Sequence, residues 1–324
     1  MNRASKLPLV FAVFMFMCGV LSLSRPVWAT PYFKGAKACS ECHEAEFKIW
    51  KETKHFKSFR TGHREPREKD KPSPKKILDA AGGSPNMKKN ETCTLCHYSM
   101  EQNDKKSEPV AKSGTSCESC HGASSDWLKI HDDYGGKNVK REQETAEHKA
   151  RRIEDSRKAG LIWPSMKFDV AENCMACHGL ANPSLKADVL AKMLDAGHPV
   201  NPDFELVKYS QGSVRHRYYP PDVTLNAEMT PQELADLFIV GQAAKLVSAI
   251  SVLGKSDNPK YISAQEKRAA DAKAALSALK SIPQAAALAA SPSEENARKL
   301  VAAIKGKDLS GEVGPLLPQK KDYK

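Results

Sequence analysis

Aromatic side chains are scarce in this chain of 324 residues, of which Phe, Tyr and Trp make up only 7%. Segments with the alternating apolar and polar residues of a half-buried β-strand are scarce as well. Beyond residue 30, no segment is both apolar enough and long enough to cross a bilayer. These shortages argue against an all-β fold and against a membrane-spanning mature chain. They predict a mainly α-helical protein whose core needs more than aromatic side chains.

The first 29 residues have the composition of an export signal. A basic start at Arg3 and Lys6 precedes an apolar run over residues 7–23, and small residues stand three and one positions before a cut after Ala29. This order predicts a cleaved secretory signal peptide and a periplasmic protein, with an extracellular location as the alternative. A retained membrane anchor is the other interpretation of the run. Cys18 lacks the small residues that precede a lipoprotein cysteine, so we interpret it as part of the signal.

Eight cysteines follow the signal, and in an oxidising compartment they could form disulfides. Their spacing predicts different chemistry, because each pair stands two residues apart and is followed by a histidine. The four C-x-x-C-H motifs are Cys39, Cys42 and His43; Cys93, Cys96 and His97; Cys117, Cys120 and His121; Cys174, Cys177 and His178. Two thiols at this spacing reach both vinyl groups of one porphyrin, and the adjacent histidine reaches its iron. Zinc sites and thioredoxin-like sites do not require that histidine, so we predict four covalently attached haem c groups.

The charge of the chain is a weaker signal. Removing the signal lowers the formal charge from +11 to +8, and a basic balance often indicates a nucleic acid or an anionic surface. Each haem brings two propionates, however, so four haems would offset most of this excess. We therefore predict no nucleic-acid binding.

Six further histidines lie outside the motifs: His55, His63, His131, His148, His198 and His216. Histidine at both axial positions gives a six-coordinate, low-spin iron, which suits electron transfer. His63 lies in a charged loop and His148 in a charged segment with helical character. For these two we predict solvated side chains.

Several segments resemble the tetrahaem cytochrome c-554 family. They are residues 33–35 with the first motif, residues 50–55, and residues 114–122 with His131 ten positions after the third motif. Residues 197–205 with the later His216 are similar to related exported multihaem cytochromes. The resemblance covers roughly residues 30–220 and implies a multihaem cytochrome fold with little regular strand.

The resemblance implies that His55 and His131 are distal ligands, each capping the iron of the other's haem in a stacked pair. For the fourth haem His198 and His216 remain alternatives. We favour His198, and His216 is then the alternative or a ligand of the second haem. In the family the iron of the second haem is five-coordinate and open to a small ligand. Met87 or Met100 could instead supply a thioether there.

We divide the chain into the signal (residues 1–29), a tetrahaem domain (30–224) and a haem-free helical region (225–324). The last region opens with a capping box at Thr230–Glu233 and a proline at the first helical position. Further helices are predicted over 263–280 and 293–305, which suggests a helical bundle. It packs against the haem core or, alternatively, forms a homo-oligomer or a docking module. Residues 61–92 are interpreted as a mobile basic connector and residues 137–160 as an exposed helix.

The function that these observations favour is electron transfer between a donor and an acceptor redox protein, which does not make the chain an enzyme. One alternative is an oxidoreductase that acts on a small nitrogen or sulfur compound at a five-coordinate haem. The other is a subunit of an extracellular cytochrome filament.

Overall fold

The computed structural model describes residues 30–68, 70–219 and 222–324. The predicted signal peptide, with Cys18, lies outside the described residues. Within them the chain forms fifteen α-helices, which confirms the mainly α-helical fold class. In chain order these are α1 (Ala36–Ser40), α2 (Glu44–Glu52), α3 (Lys54–Thr61), α4 (Pro74–Ala81), α5 (Glu91–His97), α6 (Cys117–His121), α7 (Ala146–Lys158), α8 (Lys167–His178), α9 (Ala187–Asp195), α10 (Leu206–Ser210), α11 (Pro231–Ser251), α12 (Pro259–Ser277), α13 (Pro283–Ala290), α14 (Glu294–Ile304) and α15 (Ser310–Val313).

Extended structure is limited, in the described residues, to one hairpin and an isolated bridge. Strands β1 (Ser99–Glu101) and β2 (Val110–Ser113) pair antiparallel, and Phe33 adds a parallel bridge to the end of β1. The buried hydroxyl of Ser99 lies 2.8 Å from that of Ser116, just ahead of α6. The hairpin therefore fixes the chain between the second and third motifs.

Three of the four C-x-x-C-H motifs end an α-helix, with the histidine as the last helical residue of α5, α6 and α8. Residues three apart share one face of a helix, so Cys93 and Cys96 of α5 face the same side, as attachment to one porphyrin requires. Asn90 starts this helix, because its side chain accepts hydrogen bonds from the N–H groups of Thr92 and Cys93. The first motif instead spans the turn between α1 and α2.

The longest described helix, α11, organises the C-terminal half. Its capping box forms as the sequence predicts, with Thr230 accepting from the N–H of Glu233. Side chains on nearly every side of the helix are buried, and the core around it includes Phe168 and Met175 of α8. Helices on both sides of residue 225 thus share one core, and residues 31–324 form one compact unit. The division at 224–225 remains a prediction.

The expectation that no segment beyond residue 30 is long and apolar enough to cross a bilayer was wrong, because α11 meets both criteria, with a mean hydropathy over eighteen residues of 1.4. Within the protein, however, 61% of that window is buried. A helix that is apolar on all sides is also typical of the centre of a soluble core. The packing of α8, α12 and α14 around it accounts for the composition.

The remaining helices differ from expectation in detail. The predicted helices at 263–280 and 293–305 correspond to α12 and α14, while α13 was not predicted. Part of the expected mobile connector is the ordered helix α4, which Ser73 caps and Pro74 begins, and α4 packs on α9. The signal for this start, serine before proline, is present in the sequence. The predicted exposed helix is shorter than expected (α7), and it buries Arg152.

Candidate functional site

Eight histidines of the described residues form four pairs. Each pair joins the histidine of one C-x-x-C-H motif to a histidine outside the motifs. The distances between ring centres are 6.4 Å for His43 and His131, 6.2 Å for His97 and His198, 6.4 Å for His121 and His216, and 6.0 Å for His178 and His55. All four motif histidines, and all four predicted distal candidates, are therefore brought together one to one.

The spacing within the pairs fits a metal between the two rings. A metal-bound imidazole nitrogen lies about 2.0 Å from the metal and the ring centre roughly 1.1 Å behind it, so two rings on opposite sides have centres about 6.2 Å apart. The four observed distances lie within a few tenths of an ångström of this value. The same spacing is too long for direct ring stacking or for a hydrogen bond between the rings. Each pair could thus hold one metal ion between its two rings.

Hydrogen bonds at Nδ1 orient four of the eight rings. The acceptors are the carbonyl of Ile162 for His121 (2.9 Å), that of Leu128 for His131 (2.7 Å) and that of Pro199 for His198 (2.9 Å), and the carboxylate of Glu46 for His43 (3.3 Å). An acceptor at this position holds the proton on Nδ1. Nε2 is then free to bind a metal, as is usual for histidine ligands with a second hydrogen bond.

Burial also prepares these rings for metal binding. It lowers the pKa of seven of them, to about 4 for His97, His178 and His216. His43 is the exception, because its hydrogen bond to Glu46 raises its pKa. Since the neutral imidazole is the form that binds a metal, these seven rings need not lose a proton first.

The cysteines of different motifs adjoin one another. Thiols in contact are those of Cys39 with Cys117 and of Cys96 with Cys177. Between the third and fourth motifs, the side-chain amide of Asn173 donates to the carbonyl of Cys120 at 3.0 Å. A cavity of about 150 Å³ lies beside Cys96 and Cys177, between the second and fourth motifs. The chain thus arranges its motifs in the spatial order first, third, fourth, second.

Glu118 connects the N-terminal segment to the third motif. Its side chain is buried, with a relative exposure of 2%. The carboxylate accepts hydrogen bonds from the backbone N–H groups of Lys34 (2.9 Å), Gly35 (2.7 Å) and Ser124 (2.9 Å). The spacing of the motif gives no role to this position. Its signal was a single acidic residue among small, uncharged neighbours.

Arg268 of α12 lies against the fourth motif. Its guanidinium, with a relative exposure of 1%, donates to the Ser248 hydroxyl at 2.7 Å and to the side chain of Gln265. It occupies the space where a side chain at Gly179 would begin, next to His178. Burial lowers its pKa to about 10, so it stays charged at neutral pH. This cation faces the negative end of the α8 dipole, and no sequence pattern pointed to it.

The structure groups the distal candidates differently from the expectation. His131 lies beside His43, as expected, but His55 lies beside His178 and not beside His121. His121 is instead paired with His216. Of the expected exchange between the first and third motifs, the structure therefore shows one half, the approach of His131 to the first motif.

His198 likewise lies beside His97, the histidine of the second motif, and not beside that of the fourth. Because an imidazole faces His97, neither Met87 nor Met100 is the group opposite it. The two histidines predicted to be solvated lie outside the four pairs: His63 is exposed, and His148 lies 2.8 Å from the carboxylate of Glu144.

Comparison with known proteins agrees with the motifs. The model of the family described as Cytochrome c554 and c-prime matches residues 38–122, which include the first three motifs. The curated protein cytochrome c-554 of Nitrosomonas europaea is 28% identical over 180 residues, which cover 51% of this chain and 68% of the relative. No solved structure matches the chain.

The two matches confirm the resemblance to the cytochrome c-554 family. The family implies covalently bound haem c, a part in electron transfer and redox partners. The fourth motif and most of the distal histidines lie beyond the residues that the family model matches.

Proposed function

We propose that this chain is an exported tetrahaem c-type cytochrome that transfers electrons between redox proteins, with two histidines on each iron. The observation that carries the proposal is the grouping of eight histidines into four pairs. In every pair one member belongs to a C-x-x-C-H motif and the other does not. Contacts formed by chance would not join a motif histidine to a histidine outside the motifs in all four pairs.

Each haem, when bound, supplies an iron that gains or loses one electron without any bond being made or broken. The chain contributes the rest. Its cysteines fix four porphyrins by thioether bonds, and its histidine pairs keep the coordination of each iron the same in both oxidation states. The hydrogen bonds at Nδ1 of His121, His131 and His198 hold the rings in place, which limits the rearrangement that electron transfer requires.

An electron carrier is favoured over an enzyme by the position of His198. An oxidoreductase acting on a small nitrogen or sulfur compound needs an iron with an open coordination site. The second haem is five-coordinate in the c-554 family, and it was therefore the candidate for such a site. Here the ring of His198 lies opposite His97 at a spacing that suits an axial ligand, so both axial positions of an iron held at this motif would be filled.

The order of the motifs also supports transfer through the protein. Contacts between cysteines of the first and third motifs, and of the second and fourth, bring the attachment points of different porphyrins together. The bond from Asn173 to Cys120 joins these two halves. Haems held at the four motifs would form a continuous row in this order, with the first and the second motif at its two ends.

Intact-mass analysis and electron paramagnetic resonance of the exported protein test the proposal together. We expect a chain that begins after Ala29 and carries four added haem masses. We also expect only low-spin ferric signals, with no change on addition of cyanide. Free thiols or bound zinc would refute the haem assignment, whereas a high-spin signal that responds to cyanide would favour the enzyme.

A further inference from the structure

The positive charge of the chain is concentrated in one short segment. Residues 54–89 contain eleven Lys and Arg against four Asp and Glu, an excess of seven. The whole chain after residue 29 has an excess of eight, so the remaining residues are almost balanced. Around the first motif, residues 37–52 carry three cations and four acids. We call residues 54–89 the basic segment.

Most cations of the basic segment are exposed and unpaired. Among the described residues, only two of them form ion pairs, Lys57 with Glu52 and Lys75 with Asp79. Those with no acidic partner in the described part of the chain are Lys54, Arg60, Arg64, Arg67, Lys71, Lys76, Lys88 and Lys89, of which all but Lys88 are exposed. A protein gains no folding stability from such a group of like charges, and their mutual repulsion opposes folding.

The basic segment encloses one end of the row of motifs. It begins one residue before His55 and ends four residues before Cys93. In space, Pro72 lies against Gly197, which precedes His198. The ammonium group of Lys88 lies over the ring of Phe59 at 3.6 Å, which ties the end of the segment to α3. The basic segment thus contacts the neighbours of both His198 and His97, since Phe59 also packs against Tyr98. It lies at the end of the row where the second motif stands.

From this placement we propose that the basic segment is the docking surface for an acidic electron-transfer protein, which exchanges one electron with the haem of the second motif. The inference rests on the proposed function. One partner loses an electron and the ferric iron gains it, or the reverse, and no proton or atom is transferred. A surface of one sign at one end of a conducting row accelerates encounter with an oppositely charged partner and orients it. Because the positive charge lies at one end of the row, a second partner of different charge would bind at the other end, beside the first motif.

Stopped-flow reduction by two donors of opposite charge tests this inference. The probes are flavodoxin hydroquinone, a small acidic protein, and the cation hexaammineruthenium(II). In the test variant Arg64, Arg67, Lys71 and Lys76, which are exposed and form no ion pair among the described residues, are all replaced by Gln. The matched control replaces Lys149, Lys273, Lys305 and Lys307 by Gln, which removes the same charge elsewhere on the surface.

At low ionic strength we expect flavodoxin to reduce the test variant about tenfold more slowly than the native protein, and the control less than twofold more slowly. Both differences in reduction rate should become smaller when salt is added, because salt screens the interaction between the charges. The ruthenium complex should reduce all three proteins to the same final extent, which shows that the haems are intact and separates this test from that of the function. An equal decrease of the flavodoxin reduction rate in the two variants would refute the docking surface, since the rate would then depend only on the net charge of the protein.

A membrane is the alternative occupant of a basic surface. Sedimentation with phosphatidylglycerol vesicles distinguishes it. Vesicle binding that is lost only in the test variant, together with unchanged reduction by flavodoxin, would overturn the proposal.

Discussion

Replacing Glu118 with Gln tests the connection between the N-terminal segment and the third motif. One carboxylate oxygen accepts from the N–H groups of Lys34 and Ser124, and the other accepts from that of Gly35. A glutamine of the same shape keeps the first oxygen but turns an N–H₂ group toward the N–H of Gly35, so two donors face each other. Loss of a hydrogen bond to a charged acceptor costs about 1.5–3 kcal/mol, and an unsatisfied buried donor costs about 1–3 kcal/mol more.

We therefore expect Glu118→Gln to lower the free energy of unfolding by about 3–5 kcal/mol. Guanidinium denaturation of the mature haem-loaded protein, followed by far-UV circular dichroism, measures this change. Trypsin should also cut after Lys34 faster in the variant, because the N-terminal segment detaches first.

The matched control is Glu142→Gln, an exposed carboxylate with no ion pair among the described residues. It should change the free energy of unfolding by no more than about 0.5 kcal/mol. If Glu118→Gln were as mild as the control, the three backbone hydrogen bonds would not stabilise the protein and the assigned role of Glu118 would be wrong.

Three further predictions concern the ligands and the pH dependence. His198→Gly should convert one of four irons to a form that binds one cyanide per chain, and added imidazole should restore the low-spin spectrum. The control His63→Gly replaces an exposed histidine outside the pairs, and it should leave both the cyanide binding and the spectrum unchanged. The ring planes of two histidine pairs cross at 69° and 82°, and those of the other two cross at 20° and 42°. In electron paramagnetic resonance, two low-spin signals should therefore show the large maximal g value of crossed rings, and two should be rhombic. Four signals of one kind would contradict the pairing. Burial raises the pKa of Glu172 to about 7, above the value of 4.5 for an exposed carboxyl. Because the folded state then holds the proton more tightly, the free energy of unfolding should fall as the pH rises from 4.5 to 7. If the dependence of this free energy on pH were the same in Glu172→Gln, the assignment would be wrong.

Local patterns in the sequence predict local structure well in this chain. The helix α11 begins where Thr230 and Glu233 form their capping box, because both partners of that motif lie within four residues. The helix α4 was missed, although Ser73 and Pro74 form a comparable start. Proline and glycine around it suggested a connector, and its packing on α9 outweighed that composition.

The residues of the site likewise fall into two groups: those that a local motif identifies, and those whose role depends on distant parts of the chain. A C-x-x-C-H motif defines an attachment point and one axial ligand within five residues, so the sequence alone predicts the motif residues. A distal ligand must approach the opposite face of the porphyrin from elsewhere in the chain, and residues 55 and 178 of one pair are more than a hundred positions apart. The candidates could therefore be identified by type, since few histidines remain once the motifs are assigned.

Assignment of each candidate to its motif depends on how helices from distant parts of the chain pack together. His55 approaches His178 because α3 and α8 both pack on α5, the helix of the second motif. Such contacts follow from the whole fold, whereas resemblance to a family supplies only an average arrangement. A distal histidine that moves from one motif to another changes which irons are closed to small ligands. The pairing of His198 with His97, where the sequence favoured a pairing with the fourth motif, is for this reason the feature that most favours an electron carrier over an enzyme.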